Sequence, residues 1–275
     1  METKDITFII VTFNSEKVIF DCLDLLPEDS KKIIIENSKN LDLKVSLENK
    51  YNHLKCYLMD ENLGYGKANN IGINYSNTEF VFILNPDVRL KSSDINEFLR
   101  IVSDEKFAIA APIENEELKV SFTENNFEDV EYVKGFAMLL NKKYFDKEYF
   151  DENIFLYLEE IDLCKRVKDN NGRILKVNVP VIHLGASSHG DKMNFEMEKS
   201  RNWHWMWSKF YYKKKHHGYL SGLISTSPNF ISSLIKYLFY SFTMNRIKKN
   251  IYKMRFLGLL NSYLLEKSFY RPKLK

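Results

Sequence analysis

One stretch of the chain decides its fold: Phe80-Val-Phe-Ile-Leu-Asn-Pro-Asp-Val-Arg-Leu90. Residues 80–84 form a continuous apolar run of strand length, which is typical of a strand buried on both faces of a sheet. Pro86 can neither donate to a strand ladder nor continue one, so the chain must turn there. The turn leaves Asn85 and Asp87 at the carboxyl end of a central strand, where open α/β sheets bind ligands. The alternative is an ordinary turn, since Asp often follows Pro in turns.

Strand-like runs and helical patterns alternate on both sides of this stretch. Strands are predicted at residues 6–12, 32–35, 54–59, 80–84, 107–111, 135–140, 174–177 and 181–182. Helices are predicted at residues 18–26 and 95–102, and from near Gly66. Pro112 is expected to end its strand, and residues 114–131, polar and acid-rich, are expected to form a surface loop. The alternation predicts an α/β fold with a mostly parallel central sheet and helices on both faces.

Composition and charge exclude several classes of protein. With 44% hydrophobic and 28% charged residues, the 275-residue chain is neither disordered nor an integral membrane protein by composition. The net charge of +3 conceals an asymmetry, because residues 209–275 carry 14 Lys and Arg against one acid, Glu266. Residues 1–208 have a net charge of −10. An acidic body with a basic tail indicates a polyanionic partner for the tail.

The cysteines and the first residues point to the cytoplasm. Cys22, Cys56 and Cys164 are widely separated, which predicts neither a disulfide framework nor a zinc site. Reduced thiols of this kind fit a cytosolic protein. The first residues lack the pattern of a signal peptide, and no apolar run reaches the roughly 18 residues that span a bilayer.

Residues 61–72 carry two glycines, Gly64 and Gly66, just where a helix is predicted to begin. Such a helix N-terminus offers free amide groups and a partial positive charge, which suit a phosphate group. The pattern could equally belong to a simple loop. Asn69 stands where the dinucleotide-binding fingerprint has its third glycine, so a nicotinamide site is not predicted.

A second informative stretch is residues 150–166, in which aromatic and acidic residues lead up to Glu159 and Glu160. A helix then runs from Ile161 until Gly172. Acidic residues at its first turn complement the helix dipole, which is an ordinary structural explanation. Alternatively, burial raises the pKa of one of these carboxyl groups, which then acts as a base. His183, at the end of a predicted strand, is either a structural residue or a ligand.

Together these segments resemble the inverting family 2 glycosyltransferases of the GT-A fold, especially their bacterial rhamnosyltransferase-like group. The matching segments, in the family's order, are residues 9–14, 33–38, 62–70, 84–88, 157–166 and 183–185. Each motif is weak alone, whereas the ordered set is specific. The resemblance implies a GT-A catalytic domain at residues 1–190 and a separate basic, aromatic-rich helical region at residues 191–275.

The resemblance also implies a nucleotide-diphosphate sugar donor and a divalent metal, Mg²⁺ or Mn²⁺. Asp87 matches the family's metal-contacting aspartate, and His183 matches a histidine that some GT-A enzymes use as a metal ligand. The substrate-binding positions that it implies are Thr12, Asn14 and Glu36 at the nucleoside, Asn62 and Gly66 in the adjacent loop, Asn85 near the diphosphate, and Asp162. At position 36 the family more often has Asp, and the longer Glu36 is expected to alter base or ribose preference.

The acidic pair of the family, usually Glu-Asp, is Glu159-Glu160 here. In the family the second acid of this pair serves as the base, so the resemblance implies Glu160 as the base, with Glu159 as the alternative. The implied mechanism is a single displacement, in which Glu160 removes a proton from the acceptor hydroxyl and the metal neutralises charge on the departing diphosphate. The acceptor is expected to be a glycan or a polyprenyl-linked glycan of bacterial surface polysaccharide, and the resemblance to the rhamnosyltransferase-like group implies rhamnose as a candidate sugar. A nucleotidyltransferase and a non-catalytic glycan-binding module remain alternatives.

The tail has two interpretations. Trp203, Trp207, Phe210 and Tyr211 fall on one helical face, and a wide apolar stripe follows Pro228. These helices either pack on the catalytic domain or on a second subunit of a homo-oligomer, or they lie on an anionic membrane surface. The large excess of bases favours the membrane, at the inner face of the cytoplasmic membrane. Nucleic acid is not expected as a partner, because no recognised motif accompanies the charge.

Overall fold

The computed structural model describes residues 1–115, 126–146, 148–185 and 191–272. The chain divides into two compact units. We call residues 1–151 and 160–188 the sheet unit, and residues 152–159 and 189–275 the helical unit. Residues 152–159 group with the C-terminal helices. The predicted division into a catalytic domain at 1–190 and a helical region at 191–275 stays a prediction.

The sheet unit contains nine described strands and five helices. The strands are β1 Ile6–Thr12, β2 Lys31–Glu36, β3 Leu54–Leu58, β4 Phe80–Leu84, β5 Val88–Arg89, β6 Ile109–Glu114, β7 Phe127–Asp129, β8 Ala137–Asn141 and β9 Ile174–His183. The helices are α1 Glu16–Leu23, α2 Leu41–Lys50, α3 Tyr65–Tyr75, α4 Ser92–Val102 and α5 Glu159–Asp169. Residue Glu159 at the start of α5 belongs to the helical unit, and Glu160 begins the part in the sheet unit.

The strands form one sheet in the order β3-β2-β1-β4-β8-β6-β9-β5, with β7 paired to β9. The first four are parallel, as the alternation of strands and helices predicts. Beyond β4 the sheet is mixed, because β8 is antiparallel to both of its neighbours, β4 and β6. The carboxyl ends of the parallel strands therefore share one edge.

Helices cover both faces of the sheet, as predicted. Phe8 and Ile10 of β1 pack in one apolar cluster with residues of α1, α2 and α4. The intervening Ile9 packs in another cluster with Ile73 of α3 and Cys164 of α5. Successive side chains of a strand point to opposite faces, so a continuous apolar run is what a strand between two helical layers requires.

Two prolines lie inside strands. The prediction that Pro112 ends its strand is wrong, because β6 continues through Pro112 to Glu114. The strands predicted separately at 174–177 and 181–182 are one continuous strand, β9, which contains Pro180. The register between β6 and β9 shifts just after Pro112, which is opposite Val177, while Ile113 is opposite Pro180. A bulge leaves residues outside the ladder, so it accommodates prolines that lack an N–H. The predicted loop at 114–131 also contains a strand, β7; its residues 116–125 lie outside the described residues.

The helical unit contains α6 Asp191–His217, α7 Tyr219–Phe242 and α8 Arg246–Tyr263. Trp203, Trp207 and Met254 form one of its apolar clusters, which confirms the helical C-terminal region. Pro228 lies inside α7 rather than before it. A proline cannot donate to the carbonyl four residues earlier. Here the Ser227 hydroxyl donates to that carbonyl, of Ile224, at 3.0 Å.

Close contact between α6 and α8 depends on Gly258. A Cβ atom at Gly258 would overlap the backbone oxygen of Trp203, which cannot move as a side chain can. We expect Gly258→Ala to lower the free energy of unfolding by about 1–3 kcal/mol through overpacking, despite the better helix propensity of Ala. Urea unfolding would measure this, with Ser232→Ala at an exposed position of α7 as the control. An unchanged unfolding midpoint would contradict the expectation.

Candidate active site

Polar residues meet at the carboxyl ends of the parallel strands. Thr12 ends β1, Glu36 ends β2, and β4 ends at Leu84, just before Asn85-Pro86-Asp87. The chain turns after Leu84 and enters the short strand β5. The prediction that Pro86 marks the end of a central strand is therefore confirmed.

His183 lies beside Asp87 because their strands pair. Val88 of β5 is opposite His183 of β9, and the Leu184 amide donates to the Asp87 carbonyl at 3.2 Å. Nε2 of His183 lies 3.4 Å from Oδ1 of Asp87. Nδ1 of the same ring lies 3.1 Å from Oε1 of Glu114. The structure thus brings together the two predicted metal ligands.

Glu114 and Lys134 were not singled out in the sequence. Glu114 reaches His183 because β6 runs past Pro112. Lys134 forms an ion pair with the other oxygen of Glu114. The ring of Phe136 stacks on that of His183, with centroids 4.9 Å apart. The signal in the sequence is a carboxylate soon after a predicted buried strand, at the first residue of the loop predicted at 114–131.

Neighbouring charges shift the pKa of His183 and that of Glu114. The Asp87 carboxylate raises the pKa of His183, against the opposing effect of burial, and Glu114 adds to the rise. Burial would raise the pKa of Glu114, but Lys134 and His183 outweigh it and lower the pKa overall. Glu114 is therefore an anion that holds the His183 ring in place.

The donor atoms at Asp87 fit a divalent cation. Oδ1 of Asp87 and Oδ1 of Asn85 are buried and have no hydrogen-bond partner among the described residues. The His183 nitrogen at 3.4 Å from Asp87 is beyond a good hydrogen bond, and both atoms could face one ion. A histidine ligand whose other nitrogen meets a carboxylate, as Glu114 provides, is common at metal sites. No cluster of three or more His, Cys, Asp or Glu residues suited to a metal occurs in the described ranges.

The predicted nucleoside residues form a hydrogen-bonded group at the ends of β1 and β2. The Thr12 hydroxyl donates to Oε2 of Glu36 at 2.6 Å. Oε1 of Glu36 accepts from the Ser38 amide at 2.6 Å, from the Ser38 hydroxyl, and from the Asn40 amide at 3.3 Å. The Asn14 amide donates to the Ser38 hydroxyl at 3.1 Å. Glu36 is fully buried, so a direct bond to a nucleoside would require it to exchange one of these partners.

Hydrogen bonds hold the loop before α3, residues 61–64, against the end of β2. The Asn37 amide group donates to the Gly64 carbonyl at 3.2 Å, and the Asn62 side chain accepts from the Gly64 amide at 3.0 Å. Gly64 has φ of +83° and precedes α3, whereas Gly66 is buried in the first turn of that helix. The left-handed conformation is therefore needed at Gly64. The N-terminus of α3 is held close to the nucleoside residues.

Glu160, the predicted base, packs against a glycine. A Cβ atom at Gly135 would lie 3.3 Å from the Cβ atom of Glu160, so only glycine leaves ordinary room there. The Tyr65 hydroxyl donates to the Gly135 carbonyl at 2.6 Å. Burial raises the pKa of Glu160, although its own amide and that of Ile161 oppose the shift. Residues 134–136 thus contact Glu160 through Gly135 and His183 through Phe136.

The other acids of this motif have different surroundings. Glu159 is buried and belongs to the helical unit. Asp162 is fully buried and pairs with Arg166 at 2.9 Å. Arg166 also donates to the backbone carbonyls of Glu148 and Tyr149. The visible role of Asp162 is to support the start of α5, and its contact with substrate stays a prediction.

Backbone strain precedes this pair of acids. Tyr157 and Leu158 have φ of 71° and 69°, a conformation that costs energy for residues other than glycine. Within the helical unit, the Ser208 hydroxyl donates to the Leu156 carbonyl at 2.9 Å, and Trp205 contacts the Tyr157 ring edge-on. Strained backbone of this kind concentrates at functional sites.

A pocket of about 290 Å³ adjoins the cluster around Glu114. Its lining includes Glu114, Tyr132, Lys134, Phe136 and Lys176. Two lysines and two aromatic rings can bind a polar ring compound by hydrogen bonds and stacking. Its volume is near the lower limit for small-molecule sites.

The fold is the GT-A fold of glycosyltransferases, as predicted. The mannosyltransferase PcManGT from Pyrobaculum calidifontis, solved in complex with GDP-Man and Mn²⁺, superposes with a TM-score of 0.57. The match covers 94% of this chain and 86% of that one at 10% identity, so it shows the fold alone.

The chain belongs to glycosyl transferase family 2, whose model matches residues 7–161, more than half of its length. It is 26% identical over 196 residues to the low-salt glycan biosynthesis hexosyltransferase Agl10 of Haloferax volcanii, covering 61% of this chain and 62% of Agl10. It is 25% identical over 236 residues to the rhamnosyltransferase WbbL of Escherichia coli, covering 71% of this chain and 88% of WbbL. The chain thus spans less than two thirds of Agl10 and most of WbbL.

Proposed function

We propose that this family 2 glycosyltransferase is a metal-dependent inverting enzyme of bacterial surface polysaccharide synthesis. It transfers a sugar from a nucleotide-diphosphate donor to a glycan or polyprenyl-linked acceptor at the inner face of the cytoplasmic membrane. The observation that carries the proposal is that residues 134–136 contact both Glu160 and the His183 ring beside Asp87. Rhamnose is the sugar that we propose first, and the similarity to WbbL supports it.

The residues of the sheet unit divide the chemistry between them. Asp87 and His183 would hold a divalent cation, which when bound neutralises negative charge on the leaving diphosphate. The N-terminus of α3 and the Thr12–Glu36 group receive the nucleotide. Glu160 removes the proton of the acceptor hydroxyl, and its raised pKa makes its carboxylate a stronger base. We assign the acceptor to the 290 Å³ pocket, because its residues Lys134 and Phe136 flank Gly135.

The donor can be found by a direct screen. We expect one nucleotide sugar, tested with Mn²⁺ or Mg²⁺, to raise the melting temperature and to release its nucleotide. Release should cease with EDTA and recover when the metal is restored, because the diphosphate can leave only with its charge neutralised. A donor that binds without any release, even with glycan and lipid-linked acceptors present, would favour a non-catalytic binding module. Full turnover in EDTA would contradict the role of a metal.

A further inference from the structure

We infer that the outward face of α7, together with the turn between α7 and α8, is a docking surface for an anionic lipid bilayer. This inference rests on the proposed action at the membrane and adds the surface that makes the contact. None of the helices within the described ranges is long and apolar enough to cross a membrane. The contact that we infer is with the lipid headgroups and the outermost part of the acyl chains, where amphipathic helices bind.

Large apolar side chains form a stripe along α7, interrupted only at Ser227 and Pro228. They are exposed to between 53% and 91%, and they are Leu220, Ile224, Ile231, Ile235, Leu238 and Phe242. Their spacings of three, four and seven residues place them on one face of the helix. We call this face the α7 stripe. An exposed apolar surface of this length marks an interaction site in a folded protein.

The opposite face of α7 packs against α6 and α8, where Leu223 and Phe230 lie partly buried in an apolar cluster. Gly222, Thr226 and Ser233 are the buried residues of this helix. A Cβ atom at Gly222 would lie 2.9 Å from the Phe210 ring of α6, and the Thr226 hydroxyl lies 2.9 Å from that of Tyr263 of α8. A helix that only covers the core of a soluble unit turns most of its large apolar residues inward. The residues of the α7 stripe are exposed instead, so they are available to a partner outside the unit.

Cations continue the surface beyond the end of the stripe. Helix α8 begins with Arg246, Lys248 and Lys249, and its first turn contains no acid. Cations at a helix N-terminus are unfavourable because they face the positive end of the dipole, unless an anion lies nearby. Nζ of Lys248 lies 5.3 Å from the centre of the Tyr240 ring, close to the end of α7. The connection between the helices exposes Met244, and the first turn of α8 exposes Ile247.

The excess of positive charge in residues 209–275 favours an anionic bilayer over a second copy of the chain as the partner. Residues 209–275 carry 14 Lys and Arg and one acid, Glu266. Two copies joined through this surface would bring like charges together, whereas anionic headgroups would neutralise them. Apolar side chains beside cations are the composition that binds at a lipid–water interface.

Vesicle binding by the full chain tests the inference. We expect the protein to sediment with vesicles of phosphatidylcholine and phosphatidylglycerol at low salt, and not with phosphatidylcholine alone. We call the variant with Ile224→Ser and Phe242→Ser the stripe variant. It should bind at least about tenfold more weakly, because it lacks two apolar side chains that the wild type would bury in the bilayer. A variant with Lys248→Gln and Lys249→Gln should lose about fivefold per cation and depend less on salt. Leu41→Ser with Val45→Ser, exposed positions of α2 in the sheet unit, is the control.

The outcomes separate this inference from the proposed reaction. Absence of binding to anionic vesicles at low salt, or equal binding by the wild type and the stripe variant, would overturn the docking surface. Dimers in lipid-free solution that the stripe variant abolishes would also overturn it, in favour of a second copy. The stripe variant should keep the metal-dependent nucleotide release of the wild type in detergent solution. A protein that binds vesicles but releases no nucleotide would contradict the reaction and leave the docking surface intact.

Discussion

Asp87→Asn is expected to lower kcat about a thousandfold while the fold survives. Lewis-acid stabilisation of a leaving diphosphate contributes several kcal/mol, and each 1.36 kcal/mol corresponds to about a factor of ten in rate. Oδ1 of the Asp87 carboxylate is buried without a hydrogen-bond partner in the described structure, and the substitution converts this carboxylate to a neutral amide. The amide keeps the shape of the side chain but removes the charge that would hold the cation.

Steady-state kinetics across a Mn²⁺ titration would measure this effect. The variant should need much more metal for half-maximal rate, and its thermal unfolding should remain cooperative. Asp104→Asn, an exposed position in the sheet unit, serves as the matched control and should behave as the wild type does. Normal turnover by the Asp87→Asn protein would remove Asp87 from the mechanism.

Glu160→Gln is expected to reduce kcat by about 10²–10⁴-fold, the range over which a positioned general base contributes. Donor binding should change little, because the carboxylate acts on the acceptor hydroxyl. The base must be deprotonated to act, and the pKa of Glu160 is raised. The rate of the wild type should therefore rise with pH through a pKa above that of an ordinary glutamate.

The same raised pKa has a consequence for stability. A carboxyl group whose pKa is higher in the folded state than in the unfolded state destabilises the fold above the folded pKa, where it must ionise in a poorly solvated place. Below the unfolded pKa this cost disappears. We expect Glu160→Gln to raise the melting temperature at neutral pH while it lowers activity, which an ordinary structural residue would not do.

Glu159→Gln is the matched control for the base. It changes the neighbouring carboxyl group by the same atoms, and it should reduce kcat far less than Glu160→Gln does. A larger loss in the Glu159 variant would transfer the role of base to that residue. Equal and small losses in both variants would contradict a carboxylate base in this motif.

The candidate site was predicted unevenly, for reasons visible in particular residues. Asp87 was recognisable because Pro86 ends a buried strand, which is a local property of the chain. Glu114 was not, because its position depends on the bulge opposite Pro180, a contact between residues far apart in sequence. Gly135 likewise gave no signal, since its significance depends on the Glu160 side chain that packs against it.

By itself the sequence determined the alternation of strands and helices, the central strand at residues 80–84 and the order of the family motifs. The strands and helices follow from hydrophobic periodicity and turn chemistry, which act between near neighbours along the chain. The motifs were recognised from their resemblance to the family. Only the tertiary structure decided that β8 runs antiparallel to β4, that His183 meets Asp87 and Glu114, and that α7 leaves the residues of its stripe exposed. The physical reason is that strand register and helix packing depend on contacts between distant residues, which no local pattern specifies.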